Sequence, residues 1–551
     1  MFAQIALVIG AYLLWKVAIS ILEWCRVQYI FKTKLPRGPP VKNLFLGNLL
    51  ECTTKDFHRT HQKYADLYGG IVPYRVLWIH AINISDPHLI AEILQSKDFD
   101  KETFTYRQLD SMFGDKGHKS ILTGQTSSQS WRLVRKGVMP AFSPNNIRHG
   151  FQHVLDVVGQ LLRILKGGGE DAVVDMDNLL KREALDVIGR VGFGYDMGAT
   201  AALEGAGDAQ HALETADAAA YEVEMCWAQP YRQYKWWSKD VRQGVANQKK
   251  YHGLMRNLLA DVKARAAKGE LLESSVAAHL LRIRDPKTGA PLPDELLLPE
   301  IATFFFAGED TTSHTGAWTL FCVSQHPEIE AKIVEELDRL GLLATSDQPQ
   351  PHALQYEDLS KLTYLNLVIK ESMRMYPVAG GTVRMPKKDV LLGGKYLIPK
   401  DTTVFLPLHA IHNSIHNFEE PDKFLPERWL EPGAEYARCR TGGSGASISG
   451  KEATGGTVAG GEDASSSDQS SGAGEGRLRR FLPFMEGPRS CAGLALANMN
   501  LTATLALLYG HFSFRLADEM GGPEGVRAGE HLVITMSCDK GMKMHAIPRA
   551  A

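Results

Sequence analysis

The chain reads as mainly α-helical with a minor β component, and three observations predict this. Residues 150–290 read as mainly helical, broken by Gly167-Gly-Gly169 and by the Ala/Gly-rich run 198–220. Leu296 to Gln325 reads as one long helix closed by His326-Pro327. Strand-like alternation comes in short runs between residues 70 and 100. At about 150 residues per domain, 551 residues would make three or four domains. Nothing marks an interdomain linker, so one large helical body is the simpler reading. A composition of 44% hydrophobic and 23% charged residues is that of an ordinary globular protein. A net charge of −2 gives no reason to expect nucleic acid as a partner. The seven cysteines are odd in number, widely spaced and without a CxxC pair. That argues against a disulfide framework and for a reducing, cytosol-facing compartment.

The first element is the apolar run 2–22, long enough to span a bilayer. A central lysine such as Lys16 costs about 2.5–3.5 kcal/mol, while the Leu, Ile, Val and Phe residues of the run together return about 5 kcal/mol. Lys16 is also off-centre and can snorkel. Residues 1–24 are therefore expected to be a retained single-pass anchor; a cleaved signal peptide is the alternative, against the length of the run and the lack of a basic start. Arg26, Lys32, Lys34 and Arg37 follow, which places the body in the cytosol. Residues 25–40 read as a basic, Pro-rich hinge ending in the stiff Leu35-Pro-Arg-Gly-Pro-Pro40.

Gly70 to Trp78 and Ala81 to Ile84 read as strands. Asp86 to Leu94 reads as a helix with Asp86 as cap and Pro87 at its first position. Phe104 to Gln125 reads as irregular. Trp131 and Arg135 stand one helical turn apart and can hold a carboxylate by ring N–H and guanidinium. Trp227, Tyr231, Tyr234, Trp236 and Trp237 cluster beside Lys235 and Lys239. They read either as packing between helices or as a membrane-interface surface.

Within the long helix lies Ala307-Gly-Glu-Asp-Thr-Thr312, directly after Phe304, Phe305 and Phe306. Glycine weakens a helix by about 1 kcal/mol, and threonine hydroxyls compete for backbone bonds. Such a local breach of helix rules points to a site. Two E-x-x-R pairs follow. Glu336 to Arg339 reads as a solvated helix face. Glu371 to Arg374 is followed by Tyr376-Pro377, Arg384 and Pro426-Glu-Arg428-Trp429. Residues 437–477 are almost without apolar bulk and read as a disordered insertion. Arg477, Arg479 and Arg480 close it.

The stretch with the most chemistry is Phe484-Met-Glu-Gly-Pro-Arg-Ser-Cys491-Ala-Gly493, followed by good helix formers. A cysteine there lies at a helix N-terminus, where amide N–H groups favour a thiolate. Gly487 permits a tight turn, and Gly493 allows a flat ligand close to the backbone. Arg489 offers a fork of donors for a carboxylate. Thiolate and arginine together suit haem b, with the Cys491 sulfur on iron and the arginine on a propionate.

This decamer resembles the haem-binding signature of the cytochrome P450 family, a specific motif. Met485 departs from it where a small residue is usual, and Glu486 adds an acid. The resemblance covers nearly the whole chain from Leu35, with its motifs in family order. It implies a mostly α domain over residues 41–551, with small β-sheets and haem between two central helices. It makes Asp310 and Thr311 the acid and alcohol of an oxygen-activation motif, and Trp131, Arg135, Arg384, Phe484, Arg489 and Gly493 companions of Cys491 around the haem. It makes Glu371, Arg374 and Arg428 a buried charge network. Ile121 and Leu122 become pocket wall, joined by the apolar Phe304, Phe305, Ala307 and Val378. The implied activity is membrane-bound monooxygenation of a lipid, sterol, terpenoid or fatty acid at the endoplasmic reticulum. O2 is a co-substrate. No flavin or nucleotide-phosphate motif is present, so electrons come from a separate NADPH-cytochrome P450 reductase or similar donor. Arg132 and Lys136, with the arginines after the insertion, would attract it. The alternatives are a reductase-independent isomerase or dehydratase acting on a peroxide, and a haem-binding sensor.

Overall fold

The computed structural model describes residues 2–114, 118–169, 171–201, 208–229, 231–431, 433–435, 479–532 and 534–550, with the side chains of 2–8, 208, 209 and 233 left out. The expected insertion at 437–477 lies outside the described residues. The body is mainly helical and is organised around the helix Asp294–Ser324, which is buried along nearly its whole length. It begins two residues earlier than the sequence pattern predicts and carries Pro299 close to its start. The helix Met176–Val187 lies along it. Gly308 is what lets them meet: a Cβ there would come within 2.7 Å of the Ile188 side chain. The glycine that weakens the helix is thus required by close packing. The helix Leu494–His511 packs against the central helix and against Pro144–Gly168.

The principal sheet has five strands in the order Ile71–Val76, Ile79–Ile84, Thr403–Pro407, Gly381–Pro386, Phe99–Lys101. Its pairs are antiparallel except Ile79–Ile84 with Thr403–Pro407. The strands predicted at 70–78 and 81–84 form as Ile71–Val76 and Ile79–Ile84, and they pair as a hairpin turning at Leu77 with a φ of 54°. The predicted helix after Asp86 runs Pro87–Gln95, and Asp86 accepts from the N–H groups of His88 and Leu89. Residues 104–125 are only partly irregular. Thr103–Phe113 is a helix because Glu102 caps it, accepting from Phe104 and Thr105 N–H.

Residues Phe2–Thr33 form one helix of 32 residues. Among the described residues no helix is long and apolar enough to cross a membrane. The side chains that open the apolar run, 2–8, lie outside the description, and the remainder carries Lys16, Glu23 and Arg26. The structure therefore gives the expected anchor no support. Residues 25–33 also differ from expectation, since they continue the helix rather than forming a hinge. Val27 and Ile30, one turn apart, are buried. Trp24 Nε1 donates to Trp78 O at 3.2 Å, and Arg26 pairs with Asp389 at 2.8 Å. These contacts fasten the helix to the sheet.

Glu336 corrects a second reading. It is 3% exposed and accepts from the N–H groups of Tyr364 and Leu365 at 2.7 and 3.0 Å. It caps the helix Thr363–Met375 instead of facing solvent. The other pair lies at the far end of the same helix. Glu371 and Arg374 are both 0% exposed and meet at 2.9 Å. Arg428 Nε reaches the same carboxylate at 2.9 Å. Arg374→Leu, which strands Glu371, should lower stability by about 3–5 kcal/mol. Denaturant unfolding of the purified variant measures this, and a loss within error of zero would show that Arg428 alone satisfies Glu371.

Candidate active site

A cavity of about 630 Å³ lies between the central helix, the Cys491 loop and the sheet. Cys491 opens onto it. The Cys491 N–H donates to Phe484 O at 2.9 Å, closing the loop, and Gly493 caps the helix that follows. Burial pushes the thiol up; the N–H groups of Gly493 and Leu494 and the charge of Arg135 offset this only in part. Coordination to a metal cation would favour the thiolate. A Cβ on Gly493 would meet the sulfur at 4.0 Å, so this face of the loop is kept clear. Gly487 holds a φ of 74°, and Met485, the departure noted above, holds 54°. Glycine there would avoid the cost of about 1–2 kcal/mol that a Cβ carries in this region.

Of the five cations that line the same cavity, Lys55 pairs with Asp539 at 3.2 Å; the other four are Lys101, Arg135, Arg384 and Arg489. Lys101 and Arg384 are direct cross-strand partners, a pairing of like charges that is normally destabilising. Both are 5% exposed. Among the described residues, their side chains hydrogen-bond to neutral groups. Lys101 Nζ donates to Tyr106 OH at 2.6 Å, and Arg384 donates to Thr382 Oγ1 at 2.5 Å. Arg489 donates to the carbonyls of Gly124, Ile121 and Leu122, and Arg135 to Ser490 O. Asp100 is taken by Lys387 at 2.9 Å. Burial and then the neighbouring arginines push Lys101 well down; burial and then Arg384 bring Arg489 down to about 10. Like charges are confined this way when a polyanion shares the space. The two carboxylates of a haem, with its iron on the sulfur, fit the group.

The structure brings Cys491, Phe484, Gly493, Arg135, Arg384 and Arg489 to one cavity, together with Ile121, Leu122, Phe304, Ala307, Val378 and Thr311. It does not bring Trp131, Phe305 or Asp310 to that wall. Trp131 spends its N–H on Ile121 O at 2.9 Å, and its ring supports the Arg489 guanidinium at 4.5 Å. Its part is to hold Arg489 in place, a correction to the expected clamp. Phe305 is 1% exposed and turns into the core against Phe193; Phe306, one position on, lines the cavity instead. Lys101, Tyr106 and Thr382 were not found from sequence. Lys101 sits in Asp100-Lys-Glu102, which reads as solvated surface. Only the pairing with Arg384 reveals it.

On the central helix Thr311 Oγ1 donates back to Ala307 O at 2.7 Å. Asp310 and Glu309 point away from the cavity and are buried. Lys181 Nζ lies 3.3 Å from Asp310 and 4.0 Å from Glu309, and reaches Asp217 at 2.9 Å. Burial raises Glu309 well above the usual range. It acts on Asp310 too, but His314, Lys181 and Thr535 outweigh it and hold Asp310 down. Two adjacent carboxyls are thereby split into an acid form and a base form.

A thiolate loop, a cationic rim and a helix bearing an acid and an alcohol define a haem-thiolate protein. The Cytochrome P450 family profile matches residues 36–527. The chain belongs to that family, whose members are monooxygenases with a Cys-ligated haem. It is 26% identical over 470 residues to the bifunctional cytochrome P450/NADPH–P450 reductase 2 of Bacillus subtilis, covering 85% of this chain and 39% of that protein. It is 25% identical over 505 residues to cytochrome P450 3A41 of Mus musculus, covering 90% and 88%. It is 25% identical over 528 residues to piperic acid synthase CYP719A37 of Piper nigrum, covering 94% and 91%.

Lys101→Met should weaken haem retention, and Lys101→Arg should restore it. A charged hydrogen bond is worth about 1.5–3 kcal/mol, which is roughly 10–150-fold in affinity. The haem-to-protein ratio after dilution and gel filtration measures this, and equal ratios in all three proteins would remove Lys101 from the site.

Proposed function

We propose that this chain is a membrane-associated monooxygenase that inserts one atom of O2 into an apolar small molecule, using electrons from a separate NADPH-dependent reductase. The observation that carries the reading is a single cavity wall holding both the Cys491 sulfur and the Thr311 hydroxyl. Haem supplies reductive activation of O2 when bound. The chain supplies the rest. Lys101, Arg135, Arg384 and Arg489 fix the cofactor's carboxylates. Ile121, Leu122, Phe304 and Val378 give the pocket an apolar wall that excludes water and takes a lipid, sterol, terpenoid or fatty-acid skeleton. Thr311 swings its hydroxyl from Ala307 O to hold a proton donor in the cavity, and Asp310 is the buried carboxylate behind it that relays the proton. For the donor protein, Arg132 and Lys136 remain exposed. Arg479 is exposed and pairs with Glu486 at 2.9 Å, and Arg480 is turned inward to Ala434 O and Asn417 O.

Membrane association is supported by uncovered apolar surface; a cytosolic body at the endoplasmic reticulum belongs to the same proposal and rests on the basic residues that follow the apolar run. Leu13, Leu14, Ile21 and Leu22 stand exposed on the N-terminal helix. Of the aromatic cluster, Trp227 is half-buried and lines the cavity, donating to Thr105 O. Tyr231, Tyr234, Trp236 and Trp237 are exposed. That favours the interface reading for these four over packing.

Thr311→Ala should keep reduction and ligand binding but raise the hydrogen peroxide formed per NADPH. Product formation should fall by about 10²-fold, the low end for a positioned proton donor. Peroxide and product are counted against NADPH with the same reductase; equal coupling in both proteins would remove Thr311 from the mechanism, and product without reductase would favour peroxide rearrangement. Deleting residues 1–22, before the docked turn at Trp24, should release the chain from membranes with its haem intact. A truncated protein that still pellets with membranes would assign the anchoring to the Trp236 surface.

A further inference from the structure

Asp310 cannot act on the cavity directly. The wall takes Ala307, Gly308, Thr311, Thr312 and Thr315 from the central helix but not Asp310, which is 4% exposed. Its Oδ1 lies 3.3 Å from Lys181 Nζ and 3.8 Å from His314 Nδ1. Its Oδ2 accepts a hydrogen bond from Thr535 Oγ1. Lys181 and His314 do not line the cavity, whereas Thr535 does. Thr535 sits in the turn of the hairpin Glu530–Leu532 and Met536–Cys538. Its hydroxyl is also 3.2 Å from His314 Nδ1. Among the described residues, Thr535 is the one contact of the Asp310 carboxylate that reaches the cavity wall.

We propose that Thr535 is the positioning residue that passes a proton from Asp310 to the cavity. This rests on the monooxygenase reading above. At rest Asp310 is a carboxylate that accepts from Thr535; in the transfer it takes a proton relayed from solvent through Lys181, and its Oδ2 passes that proton to Thr535 Oγ as the Thr535 hydroxyl turns from Oδ2 toward the cavity. That oxygen releases its own hydrogen to a cavity water. Asp310 is left as carboxylate, Thr535 is unchanged, the water is one proton richer, and no electron moves. Asp310 is refilled from solvent on its other side, where Lys181 joins it to Asp217, 55% exposed. The groups facing Asp310 are Lys181 and Asp177 on Met176–Val187, Asp217 on Asp208–Ala228, Tyr251 on Lys239–Lys268, and Glu309 and His314 on its own helix. All but Thr535 lie away from the cavity. The sequence motif supplies the acid; the outlet comes from a hairpin 225 positions away.

Thr535→Val removes the hydroxyl at nearly equal volume, and Thr535→Ser keeps it. Two measurements on the haem-loaded, full-length protein test the proposal. The first is thermal stability against pH. Asp310 is held below the ordinary carboxylate value, so its contribution is present above that value and is lost as pH falls through the lowered one. Losing the Thr535 donor raises the folded value, so acid destabilisation in Thr535→Val should begin at higher pH, while Thr535→Ser follows the wild type. The second is NADPH oxidation with a cytochrome P450 reductase in H2O and D2O. Thr535→Val should be about 10²-fold slower, with a larger solvent isotope effect, and Thr535→Ser should recover both. A wild-type rate and isotope effect in Thr535→Val would overturn the proposal. Should the wild type itself oxidise no NADPH, the monooxygenase reading fails, and the acid profiles decide: identical profiles in wild type and Thr535→Val overturn the contact.

Discussion

The position of the catalytic sulfur depends on an ion pair that it never touches. Arg374, wholly buried against Glu371, also donates to His412 O at 3.2 Å and to Asn413 Oδ1 at 3.1 Å. His412 in turn accepts the Leu482 N–H at 2.9 Å, and Leu482 O accepts from Met485. From there the Phe484 carbonyl holds the Cys491 N–H. A continuous run of polar contacts thus connects the helix Thr363–Met375 to the thiolate loop. Burial keeps His412 neutral, with its value pushed down to about 3, so its ring nitrogen remains an acceptor across the physiological range. Isolated buried ion pairs often add little net stability. Here Glu371 satisfies two arginines and the Leu425 N–H together, and the geometry that results is what the loop requires.

The rim of the cavity follows the opposite logic. The Glu371 network is satisfied within the protein, whereas Lys101, Arg135, Arg384 and Arg489 at the cavity form no ion pair with a carboxylate among the described residues. Lys101 facing Arg384 across the sheet lowers the stability of the protein by itself. A bound dianion would reverse the sign of that term, so folding and cofactor binding are thermodynamically linked through these residues. This accounts for the neutral partners, Tyr106, Thr382 and the carbonyls of residues 121–124. They keep the charges satisfied and can turn toward a carboxylate at little cost.

What was legible in the sequence is what is carried by local rules. The Asp86 cap, the long buried helix and the cysteine loop each announce themselves within ten or so residues of chain. Cys491, Arg489 and Thr311 belong to such stretches, and they fall on the cavity as expected. The failures belong to tertiary direction. Phe304, Phe305 and Phe306 are equivalent as sequence, yet a turn of about 100° per residue sends the middle one into the core. Trp131 and Arg135 share a helix face, but the nearby Ile121 carbonyl claims the indole N–H. Glu336 and Glu371 head identical E-x-x-R spacings, and both are buried for different reasons, one capping a helix and one pairing two arginines. Lys101 had no local signal at all, because its meaning is a strand register.

The motif on the central helix gains its sense only when those tertiary directions are added. Gly308 lets the Ile188 side chain approach the helix at the cavity wall. Thr311 faces the cavity with its hydroxyl held by its own helix. Glu309 and Asp310 face the opposite way, into a knot of Lys181, Asp177, Asp217 and His314. A carboxylate this buried needs a counter-charge, and a lysine placed between the helix and the surface provides one. The same lysine gives the acid a route to solvent that avoids the apolar pocket. The charged cluster and the cavity are therefore separated across the thickness of one helix, with Asp217 carrying the cluster out to the surface.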